Sequence, residues 1–216
     1  MANAQQQDVS EFWTFLVQAC YRVEKRSYCT LTGENEDVID GTLMQYTTSY
    51  WKQCGLKYHS HTLCRVCKVI RVSYAYMHLL QLPLPAGNSL HLKQCLELHS
   101  QAELLTSGND KCDGNEGCGR TGCREKRHVI DTWPQVLCIL LLRWIPTNIR
   151  GVYMKENRAV EVPVKLPQSP GGPSQTYVLR AAIIHKGTAG GGIMLLCFMT
   201  FPRVFGDLLT MSRCMP

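Results

Sequence analysis

Hydrophobic side chains recur at helical spacing near the start of the chain. Within residues 8–20 an apolar stripe falls on one face of a helix and comprises Phe12, Phe15, Leu16 and Ala19. Asp8 stands where the N-cap is expected and Glu11 stands three residues later, which is the pattern of a capping box. The pattern therefore predicts an amphipathic helix that begins near residue 8.

The rest of the chain is patterned mainly as strands. Residues 21–62 are polar and mixed, and they predict an irregular segment with short helices. Patterns typical of strands, with alternating, β-branched or continuous apolar residues, occupy 63–84, 136–142, 159–164 and 177–184. Between them, Ser89 is expected to cap a helix that contains residues 92–96, and residues 106–123 are expected to form a loop. Helices in front and strands behind predict an α+β fold.

A glycine-rich turn follows the last of these predicted strands. In "HKGTAGGGIMLL", residues 185–196, three consecutive glycines separate that strand from a second apolar run. Glycine lets the backbone bend sharply and approach a ligand closely, so a turn of this kind usually presents a functional residue. The residue after Gly192 is Ile193, whose side chain carries no functional group.

The composition is that of an ordinary globular protein with an unusual number of cysteines. The chain has 216 residues, a net charge of +6 and 12 cysteines. Its start, "MANAQQQDVSEF", has no apolar core, and its apolar runs are short for a membrane-spanning helix. We therefore expect a cytoplasmic or nuclear protein without a membrane partner, in which clustered cysteines favour metal binding over disulfides. The basic residues form no stripe with interleaved aromatic residues, so nucleic-acid binding is not expected.

Five cysteines form the candidate metal site. Cys64 and Cys67 have the C-x2-C spacing that lets two thiolates grip one zinc ion from one side. Three cysteines of the later loop compete to complete the site, and their spacings are C-x5-C and C-x4-C; the predicted pair is Cys118 and Cys123, with Cys112 as the alternative. Four thiolates leave no open position for water, which indicates a structural role for the ion. The competing interpretation is free thiols, and His59 or His61 is a lesser alternative ligand.

Several segments of the chain stand in an informative order. They are "QQDVSEF" (6–12), "CRVC" (64–67), "LQLPLP" (80–85), "WPQVLCILLLRW" (133–144) and "YVLRAAIIHKGTAGGG" (177–192). In this order they resemble the Q-Q-D-x-x-E-F box, the fingers, the P-x-V-L-x-I-x-L-K-R-F strand and the H-x-G-x-x-x-G-G turn of the ubiquitin-specific proteases. The resemblance covers residues 4–195, and it is the sequence of motifs that makes it specific.

The resemblance implies a fold, a cofactor and a partner. The fold is a papain-like cysteine proteinase hand with a helical thumb, zinc-ribbon fingers and a β palm, here N-terminally truncated. It implies a thumb remnant in residues 1–62, fingers in 63–132 and a palm in 133–195, followed by a divergent tail in 196–216. It also implies structural Zn²⁺ in the fingers, and ubiquitin or ubiquitinated proteins as partners.

The catalytic residues of the family do not align with equivalent residues here. His185 matches the H-x-G histidine, and the catalytic histidine of the family belongs eight positions later, where this chain has Ile193. The nucleophilic cysteine lies well before the Q-Q-D box in the family, and the segment that carries it is not in this sequence. Asp207 is a weak candidate for the third catalytic residue. Thiol proteolysis needs a cysteine activated by an imidazole, so no peptidase turnover is expected from this chain.

Recognition of the ubiquitin tail is the property that the resemblance leaves in place. The implied contacts are Gln6, Gln7, Asp8, Glu11, His185, Gly191 and Gly192. Acidic side chains suit an arginine-bearing tail, because charge-assisted hydrogen bonds are the strong ones. Helix capping and a simple hairpin turn are the structural alternatives for the acidic residues and the glycines. A different class of function, a zinc-ribbon protein that binds nucleic acid, is the alternative for the whole chain.

Overall fold

The protein begins with a long helix and continues mainly as strands. Its computed structural model describes residues 9–35, 48–106, 110–113, 117–150, 152–167, 175–188 and 191–198. The helices in these residues are α1 (Val9–Thr32), α2 (Ser49–Cys54) and α3 (Leu92–Ser100). The strands are β1 (Leu56–Cys64), β2 (Ile70–Met77), β3 (Leu80–Leu82), β4 (Leu90–His91), β5 (Glu103–Leu105), β6 (Arg124–Thr132), β7 (Ile139–Leu141), β8 (Trp144–Pro146), β9 (Tyr153–Lys155), β10 (Val160–Glu161), β11 (Lys165–Leu166), β12 (Tyr177–Val178), β13 (Ala181–Thr188) and β14 (Gly191–Phe198). The predicted α+β class is confirmed.

The largest sheet has four strands in the order β2-β1-β6-β5, and its pairs are antiparallel. Its central strand β1 buries Ser60, Thr62 and Cys64 on one face, because successive side chains point to opposite faces of a strand. The Ser60 hydroxyl lies 2.7 Å from that of Ser73 on β2, which satisfies two polar groups across the pair. The opposite face is open, and Tyr74 is 65% exposed there.

A hydrophobic core lies where short strands meet α3. Its buried members are Leu56, Leu80, Leu82, Leu90, Leu92, Cys95, Val160 and Leu166. Two parallel pairs, β3 with β7 and β4 with β10, join segments that are distant in sequence. Burial of their leucines removes apolar area from water, which is the main favourable term in folding.

Two helix predictions need correction. The first helix continues to Thr32, whereas residues 21–62 were expected to be irregular. It ends at Gly33, which has φ +72° and donates its N–H to the Cys29 carbonyl, a left-handed C-terminal cap that glycine adopts without strain. The N-cap of α3 is His91, not Ser89, and the Gln94 side chain accepts the His91 N–H at 3.0 Å.

The strand predictions were too long in some places and incomplete in others. The apolar run 136–142 forms a strand only over Ile139–Leu141, and 159–164 only over Val160–Glu161. The segment 177–184 is divided between β12 and β13. Strand β6, with the sequence "REKRHVIDT", went unpredicted because it is mostly charged, and it forms by pairing with β1 and β5. No helix of the described residues is long and apolar enough to cross a membrane.

Candidate functional site

Five cysteines converge at one end of the four-stranded sheet; this group of Cys64, Cys67, Cys112, Cys118 and Cys123 is called the fingertip cluster below. The Cys64 sulfur lies 3.5 Å from that of Cys123 and 3.7 Å from that of Cys118. The sulfurs of Cys67 and Cys112 lie 3.6 Å apart. Among the described residues, Cys64, Cys67, Cys112 and Cys118 are grouped as possible metal ligands, with sulfur atoms within 4.8 Å of one another.

The first half of the cluster is shaped by the turn that follows β1. Cys64 is the last residue of that strand, and its carbonyl accepts the Lys68 N–H at 3.0 Å. Lys68 has φ +62°, a left-handed conformation that is uncommon outside glycine and closes the turn tightly. The Arg65 N–H donates to the Cys123 carbonyl at 2.8 Å, so a backbone hydrogen bond joins this turn to the start of β6.

The second half of the cluster lies on a loop that folds back on itself. The Cys112 N–H donates to the Arg120 carbonyl at 2.8 Å, and the Gly119 N–H donates to the Cys112 carbonyl at 2.7 Å. A Cβ on Gly117 would lie 2.5 Å from the Cys112 carbonyl oxygen, so glycine is required at this close approach. The loop therefore brings Cys112 and Cys118 together despite the five residues between them.

The thiols perturb one another in a way that a cation would relieve. Backbone hydrogen bonds, first of all to Cys67, lower the pKa of Cys64 to about 6. A hydrogen bond with the Cys118 backbone lowers the pKa of Cys112. Burial and the neighbouring thiols outweigh that bond and raise the pKa of Cys112 to about 12. Burial and the adjacent Cys64 raise the pKa of Cys123 to about 11. A metal ion replaces this mutual repulsion by attraction, because the thiolate is the form that binds metal.

The spacing of the sulfurs fits a tetrahedral metal better than disulfides. Four thiolates at about 2.3 Å from a zinc ion stand about 3.8 Å from one another in a tetrahedron. The contacts of 3.5–3.7 Å are close to that value. They are far longer than the bond of about 2.05 Å in a disulfide. The cluster can therefore hold a metal ion, as the cysteine spacing predicted.

A second site candidate is the β13–β14 hairpin. Its strands are antiparallel and pair His185 with Met194, Lys186 with Ile193, and Gly187 with Gly192. The predicted apolar run after the glycines is thus a strand, and Ile193 lies inside it rather than at its tip. Gly187 has φ +141°, a conformation that L-residues with a side chain rarely adopt.

Two residues that sequence reasoning missed support this hairpin. The Lys155 ammonium, at the end of β9, donates to the carbonyls of His185 at 2.8 Å and Gly187 at 3.0 Å. The ring centroid of Trp144 on β8 lies 5.8 Å from that of His185, edge to face. His185 Nδ1 is buried and has no hydrogen-bond partner among the described residues. The His185 ring therefore packs against β8 and its carbonyl is bound by β9, while its predicted contact with a ubiquitin tail stays a prediction.

Glu11 lies in the first turn of α1 with an exposed side chain. It lines a shallow groove of about 330 Å³ together with Thr14, Phe15 and Gln18 of the same helix, with Gln81 of β3 and with Leu79, which precedes β3. A carboxylate and two amides therefore face one open space. The other predicted contacts Gln6, Gln7 and Asp8, and the weak catalytic candidate Asp207, lie outside the described residues.

Comparison with known proteins finds a family model that matches the sequence and solved structures that match the fold. The sequence model of the family described as "Ubiquitin carboxyl-terminal hydrolase" matches residues 1–197. Among curated proteins, none matches this sequence closely enough to count as a relative. Solved structures do match the fold, and structures of the SAGA DUB module are among them.

Three of these structures illustrate the likeness. A SAGA DUB module with a Ubp8 variant, Sgf11, Sus1 and Sgf73 is 23% identical over 89% of this chain and 43% of its own, with a TM-score of 0.68. A yeast SAGA DUB module with an Sgf73 variant is 21% identical over 88% and 42%, with a TM-score of 0.69. A SAGA DUB module bound to monoubiquitin is 24% identical over 88% and 40%, with a TM-score of 0.65. The likeness shows the fold, and the chain spans about two fifths of these structures' own length.

Proposed function

The chain belongs to the ubiquitin carboxyl-terminal hydrolase family, and we propose that it is a domain that binds ubiquitin but does not catalyse peptide hydrolysis. The resemblance to ubiquitin-specific proteases and the papain-like α+β fold are established. The proposal concerns what this particular chain does with that fold. Its domain organisation is proposed as thumb in 1–62, fingers in 63–132, palm in 133–195 and a divergent tail in 196–216.

The observation that carries the proposal is Ile193 in an intact hairpin. The strand pairing around it is regular, and Gly187 still faces Gly192. The family places its catalytic histidine at this position, where an imidazole takes a proton from the nucleophile and returns it to the leaving amine. Isoleucine can neither accept nor donate a proton, so the residue at position 193 cannot perform this step. The proposed outcome is recognition without turnover.

Recognition is supported by the groove between α1 and β3. Glu11 is exposed there beside the amides of Gln18 and Gln81. Carboxylates bind arginine side chains through strong charge-assisted hydrogen bonds, and amides can pair with a peptide backbone. One solved structure of the same fold is bound to monoubiquitin and another to ubiquitin aldehyde. By the same reasoning, Gln6, Gln7 and Asp8, which directly precede α1, and Gly191 and Gly192 are proposed as further contacts of the ubiquitin tail.

Zinc is proposed as the structural ion of the fingertip cluster. The set that the sulfur positions favour is Cys64, Cys67, Cys112 and Cys118, so that Cys112 stands in place of Cys123 in the sequence-based set. When bound, zinc supplies a crosslink between the turn after β1 and the loop before β6. With four thiolate ligands it has no open position and takes no part in hydrolysis.

A titration of ¹⁵N-labelled ubiquitin with the zinc-loaded chain tests recognition. We expect shifts concentrated on the C-terminal tail of ubiquitin, weaker with Glu11→Gln and unchanged with Glu34→Gln, an exposed glutamate beyond the end of α1. Equal shifts with both variants would remove Glu11 from the interface. No shifts from a folded chain would refute ubiquitin binding itself.

The absence of turnover needs a separate assay. Ubiquitin that carries a fluorogenic amide at its C-terminus is the substrate, and we expect no release of the fluorophore above the uncatalysed rate. Release that scales with the concentration of the chain, and that Ile193→Ala leaves unchanged, would show that another group serves as the base. The proposed binding of ubiquitin would then stand, but the proposed absence of peptidase turnover would be refuted.

A further inference from the structure

The fingertip cluster contains one thiol more than a tetrahedral metal can bind. Zinc in a structural site takes four ligands, and five cysteines are brought together here. Four of them are grouped by their sulfur positions, which leaves Cys123 as the fifth. It is still in contact with the group, since its sulfur lies 3.5 Å from that of Cys64.

Cys123 has the contacts of a thiol that keeps its proton. Its S–H donates to the Arg120 carbonyl at 3.4 Å, a bond that a metal-bound thiolate cannot make. Cys118, by contrast, is one of the four grouped cysteines. Both sulfurs touch Cys64, Cys118 at 3.7 Å and Cys123 at 3.5 Å, so each is positioned to be the ligand next to Cys64.

The two cysteines differ in their access to solvent. Cys118 is partly exposed, whereas Cys123 is buried, with 9% of its surface accessible. A soluble electrophile therefore meets Cys118 before Cys123. Cys67 is also partly exposed, and its sulfur lies 3.6 Å from that of Cys112, whereas the sulfur of Cys123 lies 3.5 Å from that of Cys64.

We propose that Cys118 is a modification site for soft electrophiles and that Cys123 replaces it on the zinc ion when it is modified. This rests on the proposed zinc site. With N-ethylmaleimide, the Cys118 sulfur forms a bond to one carbon of the ring double bond. The Cys123 thiol gives up its proton as it binds zinc, and the other ring carbon takes up one proton. The count of thiolates around the ion stays at four, so the metal is kept.

The test is stoichiometric labelling of the zinc-loaded chain with N-ethylmaleimide. Peptide mass spectrometry locates the label, and elemental analysis counts the zinc that remains after gel filtration. In the natural chain we expect Cys118 to be the first fingertip cysteine labelled, with about one zinc per chain retained. In Cys123→Ser, labelling of Cys118 should release the zinc. Cys118→Ser should keep the zinc without any label, and the double variant Cys118→Ser/Cys123→Ser should lose it.

The outcomes separate this proposal from the zinc site on which it rests. Zinc that leaves the natural chain in step with Cys118 labelling, as fast as it leaves Cys123→Ser, would overturn the replacement. First labelling at Cys67 or Cys123 would do the same. A natural chain that binds no zinc at all before treatment would overturn the zinc site together with the replacement. A control variant, Cys95→Ser, changes a fully buried thiol of the main core, and its zinc content should behave as in the natural chain.

Discussion

Replacement of Lys155 by methionine should loosen the β13–β14 hairpin. The Lys155 ammonium is the link between β9 and two carbonyls of β13, those of His185 and Gly187. Methionine keeps most of the aliphatic stem and removes only the charged donor. The change therefore isolates the two hydrogen bonds from the packing of the chain around them.

The size of the effect follows from the nature and exposure of these bonds. A hydrogen bond with a charged partner contributes about 1.5–3 kcal/mol to stability. The bond to His185 is partly buried, whereas the bond to Gly187 is exposed and contributes less because water competes for both groups. A total of about 2 kcal/mol is expected, which is about a 30-fold change in the equilibrium for opening the hairpin.

Hydrogen exchange measures that equilibrium directly. The protection factors of the Ala181–His185 amides that pair with β14 should be about 30-fold lower in Lys155→Met. The matched control is Lys165→Met, which changes an exposed lysine on β11 and should leave the hairpin unaltered. Equal protection in the two variants would refute the reasoning, because the contacts of Lys155 would then contribute nothing to the hairpin. If the hairpin carries part of the ubiquitin contact, affinity should fall in Lys155→Met alone.

Three further predictions concern stability. Leu80 is 0% exposed, and Leu80→Ala should lower the free energy of unfolding by about 3–5 kcal/mol in urea titrations. Leu31 is 87% exposed, and Leu31→Ala should change that free energy by less than about 0.5 kcal/mol. Similar values for the two variants would contradict the assigned core. Removal of zinc by a chelator should lower the melting temperature by about 10 °C or more, as seen by calorimetry, and no shift would contradict a structural ion. Burial lowers the pKa of both His99 and His128, so stability should be lost as pH falls below about 6.5, and His128→Gln should flatten that loss in urea titrations at pH 7 and 5.

The fingertip cluster shows how far cysteine spacing can be taken. The C-x2-C pair and the three later cysteines were recognisable because thiolates on one tight turn reach the same ion whatever the rest of the fold does. Which of Cys112, Cys118 and Cys123 bind the metal could not be predicted from the sequence, because neither the C-x5-C nor the C-x4-C spacing defines a turn. It depends on how Gly117 lets the loop approach Cys112, and on the pairing of β1 with β6 that brings Cys64 next to Cys123.

Two of the features that escaped prediction depend on contacts that are distant in sequence. Strand β6 has too few apolar side chains for its sequence to predict a strand, and its hydrogen bonds with β1 and β5 determine its conformation. Lys155 looks like an ordinary surface lysine, and only the fold places it against His185, thirty residues later. The extension of α1 to Thr32 is a more local effect, because neither glycine nor proline interrupts the chain before Gly33.

The structure of the hairpin is compatible with the proposed loss of peptidase activity. What shapes the hairpin is backbone pairing and the unusual conformation of Gly187, and neither depends on the side chain at position 193. Position 193 lies within a strand, where a β-branched residue such as isoleucine is well suited. Exchange of a histidine for isoleucine there removes the proton acceptor at little expected cost to the strand. We therefore expect the pairing of β13 with β14 to form with either isoleucine or histidine at position 193.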